Sequence, residues 1–243
     1  MAVKRMRVFA GPNGSGKTTI IRNLNAEIPF GVYVNADDIE QALHLTNSLD
    51  FNTFQLQVTE EQVRDFFSAT NFSARKRQEE DLPQKLKVEH NILSLNTSPD
   101  SYLAAGIADF IRQQLLQAGA SFTFETVMSH ESKVGLMAQA RKMGYRVYLY
   151  FIATEDAEIN INRVGVRVAQ RGHPVAPEVV RDRYFKSLQL LKDAVKQSNR
   201  AYLFDNSGIA ANLFAEITEG VDVVIVDTGH VPNWFIQYLL NDN

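Results

Sequence analysis

The chain contains no cysteine, which excludes disulfides, thiol nucleophiles and thiolate metal sites. It has no surplus of positive charge either. Its 25 lysines and arginines stand against 28 aspartates and glutamates, a net charge of −3. A general nucleic-acid binder usually declares itself by a basic excess, so nucleic acid is not an expected partner beyond one local basic cleft. No apolar run approaches the roughly 20 residues of a membrane span. The charged start, Met1 to Arg7, runs into a glycine-rich turn and not into the apolar core of a signal peptide. A cytoplasmic protein without membrane contact is the expectation. The five histidines, His44, His90, His130, His173 and His230, show no metal-ligand spacing. What is present is ordinary globular material, 45% hydrophobic and 22% charged over 243 residues. A chain of that length buries roughly 70–75% of its unfolded surface without a metal or disulfide staple.

Six apolar, β-rich runs punctuate the chain: Met6–Ala10, Gly31–Asn35, Ser121–Glu125, Tyr145–Ala153, Ala201–Phe204 and Val221–Val226. Helical patterns separate most of them. Tyr102–Gln117 and Val134–Lys142 carry apolar residues at helical spacing and end at Gly119 and Gly144, where a left-handed conformation suits glycine. Buried strands alternating with helices predict an α/β fold, a central, mostly parallel sheet flanked by helices and built from βαβ units. The expectation is one domain over 1–243, its core from 1–44 and 101–243. The stretch 45–100 is polar and without a buried-strand signal. It reads as a helical insertion, with helices over Gln55–Phe67 and Pro83–Leu93. Within it Arg75, Lys76 and Arg77 precede Glu79, Glu80 and Asp81, a pattern of solvated helical faces or of a surface that meets a substrate or partner.

Gly11-Pro12-Asn13-Gly14-Ser15-Gly16-Lys17-Thr18 fits G-x-x-x-x-G-K-[ST] and is followed by Thr19. A strand precedes it and a helix follows it, as the chemistry requires. The glycines let backbone N–H groups converge on phosphate oxygens, and the helix N-terminus adds its positive end. Lys17 is placed to reach the β- and γ-phosphates, and Thr18 to offer its hydroxyl to Mg²⁺. ATP and Mg²⁺ are the expected cofactors. A guanine-reading N-K-x-D is not evident, which favours ATP over GTP.

Ligands of open parallel sheets sit at the carboxyl ends of strands, and two acidic sites stand there. Asp37 and Asp38 follow the second strand. A carboxylate at that place can take a proton from an attacking hydroxyl, yet either aspartate can equally cap the helix that begins near Ile39. Glu125 and Thr126 end the third strand. Glu125 fits a group holding a Mg²⁺-bound water or the substrate, with Thr126 or Ser129 as a rival helix cap. A third feature is Arg163, Arg167 and Arg171, which recur at intervals of four and share one helix face. Like charges so spaced repel. A bound triphosphate supplies the missing negative charge, making these arginine fingers; ion pairs to Glu178 or Asp182 are the alternative. Phe204-Asp205-Asn206-Ser207 ends another strand, as an adenine contact or an ordinary turn, and Trp234, Phe235 and Tyr238 read as core.

Taken together, GPNGSGKTT, NADDI, FETVMSH, the arginine helix with RGHPVAPEVVRDRY, and FDNS resemble the zeta-toxin-like P-loop kinases over residues 4–40 and 120–208. The resemblance implies a P-loop kinase fold with an arginine-bearing lid, ATP as donor and a hydroxyl as acceptor. It matches Asp37 to the catalytic base and Glu125 to a substrate-side acid. It matches Arg163 and Arg171 to the γ-phosphate arginines, with Arg167 a rival. Zeta toxins phosphorylate UDP-N-acetylglucosamine, gripping it through a Gly-Thr and an Arg after the strand-end glutamate. Here that stretch is Thr126-Val127-Met128-Ser129. Val127 offers no hydrogen bond and Ser129 cannot pair with a diphosphate as arginine does, so the acceptor is not carried over with the motif. An antitoxin partner belongs to the family, and no residue of this sequence points to it. The competing reading is an ATP-driven switch acting on a protein partner, with Asp37 reduced to a cap.

Overall fold

The structure, a computed structural model, describes residues 3–24, 27–69, 81–169 and 175–241. Arg171 and the run from Arg75 to Glu80 lie outside the described residues. In chain order the elements are β1 (Arg5–Ala10), α1 (Lys17–Leu24), β2 (Val32–Val34), α2 (Ala36–Thr46), β3 (Ser48–Asp50), α3 (Glu60–Ala69), β4 (Leu86–Glu89), β5 (Ile92–Leu95), α4 (Ser101–Gln117), β6 (Phe122–Thr126), α5 (Ser132–Lys142), β7 (Arg146–Ala153), α6 (Ala157–Ala169), α7 (Pro177–Gln189), α8 (Leu191–Lys196), β8 (Arg200–Asp205), β9 (Asn212–Thr218), β10 (Asp222–Ile225) and the short α9 (Asn233–Phe235). They form two compact units, one from Met1–Phe30 with Thr123–Asn243, the other Gly31–Phe122.

In the first unit the strands run in the order β10-β9-β8-β7-β1-β6. β7 pairs parallel with both β1 and β8. That is why β1 and β7 read as unbroken apolar runs: a parallel strand covered by helices is buried on both faces. Met6, Val8, Phe9 and Ala10 are fully buried. Arg7 is the buried exception, its guanidinium 5.6 Å from the centre of the Tyr148 ring. The far edge of the sheet is not parallel. β9 runs antiparallel to β8, and β10 antiparallel to β9. The strand β9 carries no clean alternation and was not expected from the sequence. Glu219 and Gly220, both at positive φ, reverse the chain between β9 and β10. β10 ends the sheet order with Val223 and Val224 exposed. Behind β9, Phe214 meets Trp234 and Phe235 edge-on at 5.3 and 5.1 Å, so these two are core, as expected.

The second unit corrects the reading of the insertion. Only Glu60–Ala69 is the expected helix. The stretch 83–93 is not helical: a 3₁₀ turn over Leu82–Lys85 leads into β4 and β5, which with β3 form an antiparallel sheet in the order β3-β5-β4. Glu89 opposes Ile92, so His90 and Asn91 are the two turn residues, both at positive φ, as this tight hairpin requires. The polar composition of the segment is also explained. Asn91 Nδ2 donates to Leu56 O and Asn52 Oδ1, each at 2.8 Å, and its Oδ1 accepts from Val58 N at 2.9 Å. One asparagine thereby ties a loop that has no regular hydrogen-bond ladder. Beneath it Phe51, Phe67 and Phe110 are fully buried.

Candidate active site

The loop after β1 is shaped by contacts that leave no room for side chains at its glycines. Gly14 and Gly16 have φ of +75° and +95°. A Cβ on Gly14 would lie 2.6 Å from the Asn160 carbonyl oxygen, and one on Gly16 would strike the Asn206 side-chain amide. Both partners also bind the loop. Asn160 Nδ2 donates to Asn13 O at 2.6 Å, and Asn206 Nδ2 donates to Ser15 O at 2.7 Å. Asn160 is wholly buried in α6, its Oδ1 accepting from the Thr154 hydroxyl, while Thr154 O accepts from Tyr184 OH at 2.7 Å. A continuous polar line therefore runs from α7 through the end of β7 and the start of α6 to the loop. Neither Asn160 nor this line was foreseen; an asparagine inside a helical pattern gave no distance signal.

Lys17 opens α1, buried, with its Nζ donating to Gly11 O and Pro12 O at 2.9 Å each. Glu125, at the end of β6 beside β1, faces the same group. Its Oε1 is 3.9 Å from Lys17 Nζ and its Oε2 accepts from Thr18 Oγ1 at 3.4 Å. Ser15 Oγ and Asn13 Oδ1 are buried in this loop with no hydrogen-bond partner among the described residues, so the loop itself carries unspent polar capacity. Thr126 is not beside them as a free hydroxyl. It accepts from Met128 N at 3.0 Å and closes a turn in which Met128 takes φ of 55° with its side chain buried. Nor does Thr126 or Ser129 cap the next helix, since Ser132 N donates to His130 Nδ1 at 3.2 Å.

The arginines on α6 have different surroundings. Arg163 donates from Nη1 to Asn206 O at 2.7 Å and from Nη2 to Gly208 O at 3.1 Å. Arg167 is exposed. The ion pair between α6 and α7 is Arg181 with Glu158, and Asp182 pairs with Lys186 at 2.8 Å. The pairs of Arg163 or Arg167 with Glu178 or Asp182 that the sequence left open are not made among the described residues.

The two aspartates belong to the second unit. Asn35 caps α2, its Oδ1 accepting from Asp37 N at 3.0 Å. Asp37 and Asp38 stand in the first turn, exposed, neither of them spent as the cap. Loss of hydration, and after it the neighbouring Asp37 carboxylate, push the Asp38 carboxyl above its ordinary value. Glu40, one turn on, is buried and lies 3.7 Å from His44.

A sequence model of the zeta toxin family matches residues 94–219, just over half of the chain. The chain belongs to the zeta toxin family. The matched stretch holds Glu125, the α6–α7 pair and the Asp205-Asn206 strand end of this zeta family member, while its phosphate loop precedes the match. A protein of Haemophilus influenzae is 35% identical over 63 residues, 26% of this chain and 45% of that one. Among solved structures, AvrRxo1-ORF1:AvrRxo1-ORF2 with ATP superposes with a TM-score of 0.50 at 14% identity, over 93% of this chain and 61% of that one. The PezAT chromosomal toxin–antitoxin system of Streptococcus pneumoniae superposes with a TM-score of 0.50 at 12% identity, over 100% and 80%. The chain thus spans less than two thirds of the AvrRxo1 chain, and less than half of the Haemophilus protein is matched. At these identities the structural likeness is one of fold: the α/β fold of P-loop kinases and zeta toxins. Among the described residues no helix is long and apolar enough to cross a membrane.

Proposed function

We propose that the chain is a kinase that transfers the γ-phosphoryl group of ATP to an acceptor hydroxyl. The observation that carries this reading is the phosphate loop, with Lys17 and Thr18 at the mouth of α1 and Glu125 facing both. Lys17 and the loop amides hold the β- and γ-phosphates. Thr18 Oγ1 and Glu125 Oε2, 3.4 Å apart, are hard oxygen donors of the kind Mg²⁺ takes, so Glu125 belongs in this reading with the cation more than with the acceptor. When bound, Mg²⁺ neutralises charge on the β- and γ-phosphates. Asp37 takes the proton from the acceptor hydroxyl, with Asp38 beside it on the acceptor side. Its release from capping by Asn35 removes the objection that its position answers only to helix chemistry. Arg163, Arg167 and Arg171 are the candidates for the transferring phosphate, where a guanidinium stabilises developing charge. The acceptor is a small molecule bearing an alcohol; the turn at Thr126–Ser129 lacks the arginine that would grip a sugar diphosphate. A protein partner is part of the reading, since PezAT is a toxin–antitoxin system and AvrRxo1-ORF1 is seen with ORF2.

The test is phosphoryl transfer from γ-labelled ATP into a metabolite extract, with UDP-N-acetylglucosamine as one defined acceptor, using wild type and Asp37→Asn in parallel. A labelled product made by wild type, and about 100-fold or more slowly by Asp37→Asn, is the expected result. Equal transfer by the two proteins would remove Asp37 from the mechanism. ATP binding with slow hydrolysis and no labelled product would replace the kinase by a nucleotide switch.

A further inference from the structure

Resting on the nucleotide reading above, the surroundings of Arg163 set it apart from the exposed Arg167. A cavity of about 470 Å³ opens between the phosphate loop and α1 on one side and the loop joining β8 to β9 on the other. That size lies within the range of small-molecule pockets, ~300–1,000 Å³. Its floor includes Gly16 and Ile20; its outer wall is Ile209, Ala210 and Ala211; and Arg163 is the one charged side chain among the described residues that line it.

The wall is rigid at its root. Asn206 N donates to Ala153 O at 2.8 Å, Asn206 Nδ2 donates to Ser15 O at 2.7 Å, and Ser207 Oγ donates to Asp205 Oδ1 at 2.7 Å. Arg163 then clamps the carbonyls of Asn206 and Gly208. Two carbonyls, one from each end of a three-residue turn, fix a guanidinium far better than one would, because its donors form a planar fork. Just past this clamp the wall turns apolar, and Ile209 projects its whole side chain into solvent at the cavity rim. An apolar wall facing a phosphate loop suits the flat, weakly hydrated part of a nucleotide and does nothing for its phosphates.

We propose that Arg163 is a positioning residue for a base-binding wall and not a contact to the transferring phosphate, and that Ile209, on the turn Arg163 holds, packs on the face of the nucleotide base. The pocket reads the base by shape and apolar contact, with the amide of Asn23 as the polar group on its α1 side.

The two parts of a nucleotide can be weighed separately. Binding of ATP and of inorganic tripolyphosphate, each with Mg²⁺, is measured by calorimetry on wild type, Arg163→Ala, Arg163→Lys, Ile209→Ala and Ile209→Asp, with thermal melts to confirm folding. The exposed position of Ile209 keeps that pair of variants foldable even if Arg163→Ala is not. Arg163→Ala and Ile209→Asp are expected to weaken ATP about tenfold and tripolyphosphate by less than about twofold. Ile209→Ala falls between them and wild type, and Arg163→Lys restores part of the loss. In ATP hydrolysis the loss shows in KM more than in kcat. Equal weakening of both probes by Arg163→Ala, or slowed turnover with ATP affinity unchanged, would return Arg163 to the phosphate and overturn the proposal. Wild type binding tripolyphosphate as tightly as ATP would overturn the base pocket alone. Wild type binding neither would bring down the nucleotide reading along with it.

Discussion

The phosphate loop and the first turn of α2 solve opposite problems. In the loop the backbone and the lysine are held from several elements, with Ser15 Oγ and Asn13 Oδ1 left unspent. Lys17 is anchored by two carbonyls, and Asn160 and Asn206 each hold a loop carbonyl from a different element. At α2 a single residue, Asn35, does the local work of capping, and two carboxylates are left facing solvent. A group that must receive a fixed, multiply charged ligand gains from being preorganised, since ordering it later costs binding energy. A group that must take up and give away a proton gains from keeping its oxygens unengaged.

The sharpest way to break this contrast is at Lys17. Lys17→Ala is expected to weaken MgATP binding at least about 100-fold, because a charged donor to phosphate is lost from a buried site; calorimetry decides. A loss of only a few-fold would mean that the loop amides alone hold the phosphates. Next in size is Asn160→Ala. It leaves the Asn13 carbonyl without its donor, while the Thr154 hydroxyl keeps Asp156 O at 3.1 Å, a cost of about 1–3 kcal/mol. Chemical denaturation should register that loss, and ATP affinity should fall with it, because the loop loses its support. A destabilised protein that binds ATP as before would show the polar line to be structural only. Asn35→Ala should cost about 1 kcal/mol of stability through the lost cap, and lower phosphoryl transfer if Asp37 or Asp38 turns inward to replace it. Unchanged transfer would detach the cap from the chemistry.

The smallest effect concerns Asp38. Its folded value lies above its ordinary one, so the protonated form is the one the fold favours. Stability from this group is fully present below the unfolded value and is lost as pH rises through the raised one. Asp38→Asn is therefore expected to be slightly more stable than wild type at neutral pH, with the difference closing as pH falls below 4. The comparison is made by melting the two proteins across that range, and a gap that widens on acidification would reverse the sign.

Legibility tracked how local the governing physics was. The phosphate loop could be read because glycine sterics and helix-end chemistry are set within eight residues. The parallel strands could be read because burial on both faces demands continuous apolar runs. Asp37 stayed ambiguous because a capping residue and a general base are the same residue type at the same place. The deciding neighbour, Asn35, was itself a capping residue in plain view, one position before the helix. Arg163 was placed on the right helix, but its partners come from residues 206 and 208, which no spacing rule connects to 163. The hairpin β4–β5 was hidden by strands of four residues and a His-Asn turn in place of the usual Asn-Gly.

The last strand of the sheet bears on how the protein behaves at high concentration. β10 carries a valine-rich run, with Val221, Val223, Val224 and Val226 all more than 40% exposed, on a strand whose one neighbour in the sheet is β9. Natural sheets usually blunt such an edge with lysine, proline or a bulge, and here the guards are Asp222 and Asp227 at either end. Association through this rim at high protein concentration is therefore the expected weakness, and Val224→Lys is the natural repair.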